Sequence, residues 1–175
     1  MLKHCLILSV KDVGENSLLV NVLHPELGKQ EFLARGAKNI GAKLTPFLEP
    51  LSLVHLWLAP TRSHRPPIQE VAPVASYLPL TYPALSFALR MASLLEKVSF
   101  PYLEARAFMR DTARILLLMR KSHTQESDLE RLWIQFELLT LSYLGIVPEM
   151  KAIRAKSLPS LSLHLERMIM NSISS

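Results

Sequence analysis

The chain has 175 residues, of which 49% are hydrophobic and 20% charged, and it carries a formal net charge of +5. That apolar content supports one large or two small packed domains and excludes a disordered chain, while the positive balance suits an anionic partner as well as a solvated surface. Cys5 is the sole cysteine, which excludes a disulfide framework and a cysteine-rich metal site and points to a reducing cytoplasm; the apolar run after Lys3 and His4 is too short for a signal peptide.

In chain order, the first half reads as five short strands: Leu2–Val10, Ser17–His24, Gln30–Arg35, Leu51–Leu58 and Ile68–Val74. Gly14-Glu15-Asn16 divides the first pair, and Pro25-Glu26-Leu27-Gly28 is a hairpin connection in which the glycine supplies a positive φ. Leu18, Val20 and Val22 fall on one strand face, as do His4, Leu6, Leu8 and Val10. Five strands with a longer loop after the third predict a small closed barrel of the OB type. Val71–Leu89 is uncharged and nearly of membrane-spanning length, but its prolines at 73, 79 and 83 make it a linker into a helix.

Beyond Pro79 the apolar period becomes helical. Leu85, Ala88, Leu89, Ala92 and Leu95 define a first helix, and a second is predicted from about Tyr102 to Lys121, with Ala107 and Leu117 or Leu118 on its apolar period. A third opens on the capping-box spacing of Ser127 and Glu130, carries Leu132, Trp133, Phe136, Leu139 and Tyr143 as its stripe, and stops at Gly145 and Pro148. The last is predicted over Leu161–Ile173 with Ser160 as its cap. The expected architecture is α+β: an OB barrel over 1–78 and an all-helical domain over 79–175.

No catalytic constellation emerges. The six histidines lack ligand spacing, Glu126, Asp128 and Glu130 suit a helix N-terminus, no serine sits in a nucleophile elbow, and Gly36 and Gly41 do not frame a phosphate-binding loop. The chain is therefore read as a non-enzyme without cofactor or metal. The cations are more informative. Arg35, Lys38 and Lys43 stand between Glu31 and Glu49 with no acid among them, and Arg62 and Arg65 flank His64 in the loop before the fifth strand. On a barrel such loops border the face that binds oligonucleotides, although two solvated loops would show the same pattern. Arg106, Arg110 and Arg114 recur every four residues on the second helix, where they can meet an acidic partner or pair with Glu104 and Asp111; Arg120, Lys121 and Arg131 add charge around the following turn.

The runs Gly14-Glu15-Asn16-Ser17-Leu18-Leu19-Val20, His24-Pro25-Glu26-Leu27-Gly28-Lys29, Ala34-Arg35-Gly36-Ala37-Lys38 and Leu48-Glu49-Pro50 resemble, in order and spacing, the amino-terminal domain of the bacterial RecO recombination mediators. Phe136-Glu137-Leu138-Leu139 through Leu144-Gly145-Ile146-Val147-Pro148 resembles that family's helical domain. The resemblance implies an OB-fold, binding of single- and double-stranded DNA, strand annealing and recombinase loading. The partners it implies are the acidic tail of single-strand-binding protein and a RecR-type mediator. Arg35 and Lys38 carry over from inside the matching motif; Lys43, Arg62 and Arg65 join them by position as DNA contacts. Arg110, Arg114, Arg120, Lys121 and Arg131 are the expected partner-docking rim. Many relatives place a cysteine cluster after the Gly-x-x-Pro segment, whereas Met150–Ser175 has no cysteine, so zinc binding does not carry over. The rival expectation is an OB-fold assembly protein that binds no nucleic acid.

Overall fold

The computed structural model describes residues 1–61, 64–77, 81–98, 105–121, 125–146 and 157–173. Five strands, β1 (Leu2–Val13), β2 (Ser17–His24), β3 (Gly28–Ala34), β4 (Ser52–Leu58) and β5 (Ile68–Ser76), precede four described helices, α1 (Tyr82–Lys97), α2 (Ala105–Lys121), α3 (Glu126–Tyr143) and α4 (Leu158–Ile173). The strands form one sheet in the order β3-β2-β1-β4-β5, antiparallel at every step. A parallel bridge from Leu33 to Pro67, with the Leu33 amide donating to the Pro66 carbonyl at 3.2 Å, joins the outer strands and closes the barrel. This is the OB-fold, in an α+β chain. Gly28 takes φ 66° in the β2–β3 hairpin as the turn requires. Pro73 stands beside a register shift in β5, where a missing amide costs the ladder least.

Two hydrophobic cores result. Cys5, Ile7, Val20, Val22, Phe32, Val54 and Leu56 fill the barrel. Leu6, Leu8, Leu23 and Leu51 instead join the core built by the helices, because α1 and α2 cover the outside of β1 and β2. β1 is thus buried on both faces from Cys5 to Leu8. This corrects the expected one-faced strand: Leu6 and Leu8 do share a face, but His4 is exposed at φ 59° beside a register shift. Leu51 was expected to open the fourth strand. It lies just before β4 at φ 65°, its amide donating to the Ile7 carbonyl at 2.8 Å and its side chain fully buried in the helical core.

The helical stripes also differ in detail. α1 buries Ala84, Ala88, Met91, Ala92, Leu94 and Leu95, leaving Leu89 exposed, since small residues allow close approach to the barrel. α2 buries Phe108, Met109, Thr112, Ile115, Leu116 and Met119, while Leu117 and Leu118 face solvent. The expected capping box is absent: Gln125 is the N-cap of α3 without a side-chain bond, and Ser127 lies inside the first turn. Likewise α4 begins at Leu158, so Ser160 is helical rather than a cap. The expected start of the second helix, 101–104, lies outside the described residues. No helix among the described residues is long and apolar enough to cross a membrane.

The barrel and the helices are tied by polar contacts as well as packing. Lys29 donates to the Glu96 carbonyl at 2.6 Å and the Val98 carbonyl at 3.2 Å, capping the C-terminal end of α1 where a cation meets the helix dipole favourably. The Glu96 carboxylate accepts from Lys11 and from the Asn21 amide at 3.1 Å. Burial pushes the Glu96 carboxyl up, but hydrogen bonds from Lys11 and Ser9 and the charges of Lys11 and Lys29 outweigh it and hold the group below its usual value. At the other side of the junction, Arg106 of α2 pairs with Glu26 of the β2–β3 hairpin, whose turn is fixed by amides of Glu26 and Leu27 donating to His24 Nδ1 at 3.1 Å.

Candidate nucleic-acid interface

The long connection between β3 and β4 is pinned at both ends and free in the middle. Ala37 and Leu48 are buried in the barrel core, the Thr45 hydroxyl donates to the Ala37 carbonyl, and a short 3-10 turn at Thr45–Phe47 leads back to the sheet. The Lys38 amide donates to the Asn16 carbonyl at 3.3 Å, drawing this loop against the β1–β2 turn. Gly36, at φ 65°, makes the reversal that lets Ala37 point inward while its neighbours point out. Residues 38–43 therefore project from a base anchored in the barrel core.

Arg35, Lys38 and Lys43 all lie on this connection and are exposed as residues. Lys38 Nζ nevertheless pairs with Asp12 Oδ2 at 3.0 Å. That acid comes from β1, so the local field that looked purely positive along the sequence is partly offset across the sheet. Among the described residues neither Arg35 nor Lys43 has an acidic partner. Arg65 is brought beside β3 by the closing bridge at Pro67, and its Nε donates to Glu31 Oε2 at 2.9 Å. Arg62 lies outside the described residues. The barrel thus gathers four of the five expected DNA contacts along β3 and the loop that follows it, two of them already paired. Asp12 and Glu31 are the residues that linear reading missed, because strand pairing alone decides who faces whom.

Of the five cations expected as a docking rim, four have intramolecular partners. Arg110 and Arg114 share Asp111, at 3.2 and 3.5 Å. Arg120 Nη1 donates to the Ser76 carbonyl at 2.7 Å and so anchors the far end of α2 to β5. Lys121 ends α2, and Arg131 pairs with Asp128 on α3 at 3.8 Å. Arg110 also borders a groove of about 760 Å³ between barrel and helices, with Leu6, Leu53 and Met109 in its lining and Lys3 and Arg106 at exposed positions around it. Arg106, known from the sequence as part of the arginine row, lines the same groove.

One further group was legible only as part of a motif. Glu137 on α3 is wholly buried; its Oε1 accepts from Ser162 of α4 at 3.3 Å, while Oε2 has no partner among the described residues. Ser162 in turn accepts from Trp133 Nε1 at 2.8 Å, and the Arg90 guanidinium stacks 4.4 Å from the Trp133 ring. Burial pushes the Glu137 carboxyl up to about 8, with the Ser162 bond opposing and the nearby Glu166 charge adding to the shift. Through Ser162 it joins α3 to α4. No group of three or more His, Cys, Asp or Glu among the described residues could hold a metal ion, and Cys5 is buried with its thiol pushed up to about 12.

Residues 1–77 match the family described as "Recombination protein O N terminal". The barrel part of the chain is thus similar to the amino-terminal domain of the RecO family. The chain is 26% identical over 144 residues to the DNA repair protein RecO of Vibrio cholerae (strain ATCC 39315, El Tor Inaba N16961), covering 82% of this chain and 58% of that protein. It is equally similar, at 26% over 144 residues, to the DNA repair protein RecO of Vibrio atlanticus (strain LGP32), covering 57% of it. The chain therefore spans a little over half the length of these relatives. The part matched by the family model is the barrel that carries the cationic loop, the hairpin and Lys29. Within that motif the structure separates two kinds of cation: Lys29 is spent on the junction of barrel and helices, whereas Arg35 and Lys43 stay in solvent.

Proposed function

We propose that this chain acts in DNA repair and homologous recombination as a mediator that binds single- and double-stranded DNA, promotes annealing and assists recombinase loading. The observation that carries this reading is the projecting loop of Arg35, Lys38 and Lys43, anchored by Ala37 and by the Lys38–Asn16 bond on an OB barrel similar to the amino-terminal domain of the RecO family. Exposed cations on a fixed base meet phosphates without reorganising the fold, and backbone contacts serve both single and double strands. Lys38 and Arg65 exchange their carboxylates for phosphates on binding, and Arg62 is added from the sequence. No covalent chemistry or cofactor is required.

The same reading assigns partners. The acidic, apolar-ended tail of single-strand-binding protein suits the junction groove, which offers an apolar lining beside Lys3, Arg106 and Arg110, the two arginines exchanging Glu26 and Asp111 for the tail's carboxylates; Arg114, Arg120, Lys121 and Arg131 remain as candidate contacts for that tail or for a RecR-type protein. The pairing of Lys38 and Arg65 with acids favours one rival, a barrel used for assembly without DNA. A titration with labelled single strands at several salt concentrations separates the two. With five phosphate contacts, log affinity falls against log salt with a slope of roughly −3 to −4. Salt-independent binding, or none, removes the DNA reading.

A further inference from the structure

Ile40 is fully exposed, more so than any other large apolar side chain among the described residues, and it stands between Lys38 and Lys43 at the outermost part of the cationic loop. Two consecutive turns put it there: the Asn39 amide donates to the Gly36 carbonyl at 3.1 Å and the Ala42 amide to the Asn39 carbonyl at 3.0 Å. Gly36 and Gly41, both at positive φ, form the bends on either side. The base of the loop is fixed by Ala37 and Thr45, so the tip is presented rather than folded back.

From this juxtaposition we propose that Ile40 is a wedge that enters between adjacent bases while Lys38 and Lys43 hold the flanking phosphates. An anionic polymer drawn to the two lysines offers one kind of apolar surface, the faces of its bases, and an aliphatic side chain inserted there unstacks a step. Isoleucine suits the task because its branched side chain is stiff and loses little rotamer freedom on insertion. A lone isoleucine carries too little apolar area to anchor a chain to a lipid surface, which favours the nucleic acid as its occupant. Such a wedge would make the protein open stacked strands as it binds them, a property that backbone contacts alone do not give. The inference rests on the proposed DNA binding.

The test uses the full chain with a single-stranded oligonucleotide containing one 2-aminopurine, whose fluorescence rises on unstacking, and compares wild type with Ile40→Ser and Ile40→Leu. The side chain has no buried contacts to lose, so both variants fold. Wild type and Ile40→Leu raise the fluorescence; Ile40→Ser does not, and its affinity falls about tenfold, the scale set by burying one aliphatic side chain, while the salt slope stays as in wild type. Wild-type fluorescence and affinity in Ile40→Ser overturn the wedge and leave the DNA reading intact. Absence of salt-dependent binding by the wild type removes both. Binding of anionic phosphatidylglycerol vesicles that is lost in Ile40→Ser, with the oligonucleotide signal unchanged, also overturns the wedge and makes Ile40 a membrane contact.

Discussion

The barrel and the helical bundle handle charge in opposite ways. In the barrel, Arg35, Lys38 and Lys43 sit on a loop whose anchors are Ala37 and Leu48, so the charged residues add little to the core that supports them. In the bundle, Glu137 lies inside the core between α3 and α4, and its hydrogen-bonding state is part of the packing. Charge on a pinned loop can change partners without disturbing the core, whereas charge in a helix interface is bound up with stability and pH.

The largest effect that sharpens this contrast is in the aromatic core of the bundle. Phe108 packs against Phe136 and edge-on to Tyr143, and Phe108→Ala should cost about 3–5 kcal/mol, read as a lower urea midpoint. A loss below about 1 kcal/mol would show that the helices do not share one core.

Next comes Glu137, through pH. Its folded pKa of about 8 lies above the ordinary carboxylate value of 4.5, so the folded chain keeps a proton that the unfolded chain releases between those limits. Stability is greatest below about pH 4.5 from this group, declines as pH rises towards 8, and levels off above it. Glu137→Gln keeps a neutral acceptor for Ser162 and should flatten that decline, raising the melting temperature at pH 9 relative to wild type. An unchanged pH profile would mean that the carboxylate is solvated.

Glu96 at the junction of barrel and helices should show the opposite sign. Its folded pKa is depressed, so its contribution is present above the unfolded value of 4.5 and is lost as pH falls through the folded one. Lys29→Ala, which uncaps α1 and removes one of the charges that holds Glu96 ionised, should cost about 1–2 kcal/mol and weaken this acid limb.

The smallest effect on stability is expected in the cationic loop. Lys38→Ala with Lys43→Ala should change the unfolding free energy by no more than about 0.5 kcal/mol, since loop lysines bury little. The same double variant should flatten the salt slope of single-strand binding by about 1.4, roughly 0.7 for each lost phosphate contact. Wild-type slope and affinity would take these lysines off the binding surface, and a large stability loss would break the contrast between the two regions.

Much of this protein was determined by local pattern. Turn residues at Gly14–Asn16 and Pro25–Gly28, period-two apolar runs and the later change to helical period placed the five strands and four helices, because these signals act over a few residues. The cationic loop was equally visible, since Arg35, Lys38 and Lys43 are near neighbours along the chain. Tertiary structure decided which faces are buried and which charges meet. Leu6 and Leu8 on β1 and Leu51 beside β4 belong to the helical core only because α1 and α2 lie against the barrel, and Leu89 and Leu117 are exposed for the same reason. Asp12 reached Lys38, Glu31 reached Arg65, Lys29 reached α1 and Glu137 reached Ser162 across 26, 34, 67 and 25 residues. Such meetings depend on strand pairing and helix packing, and no local pattern in the sequence encodes them.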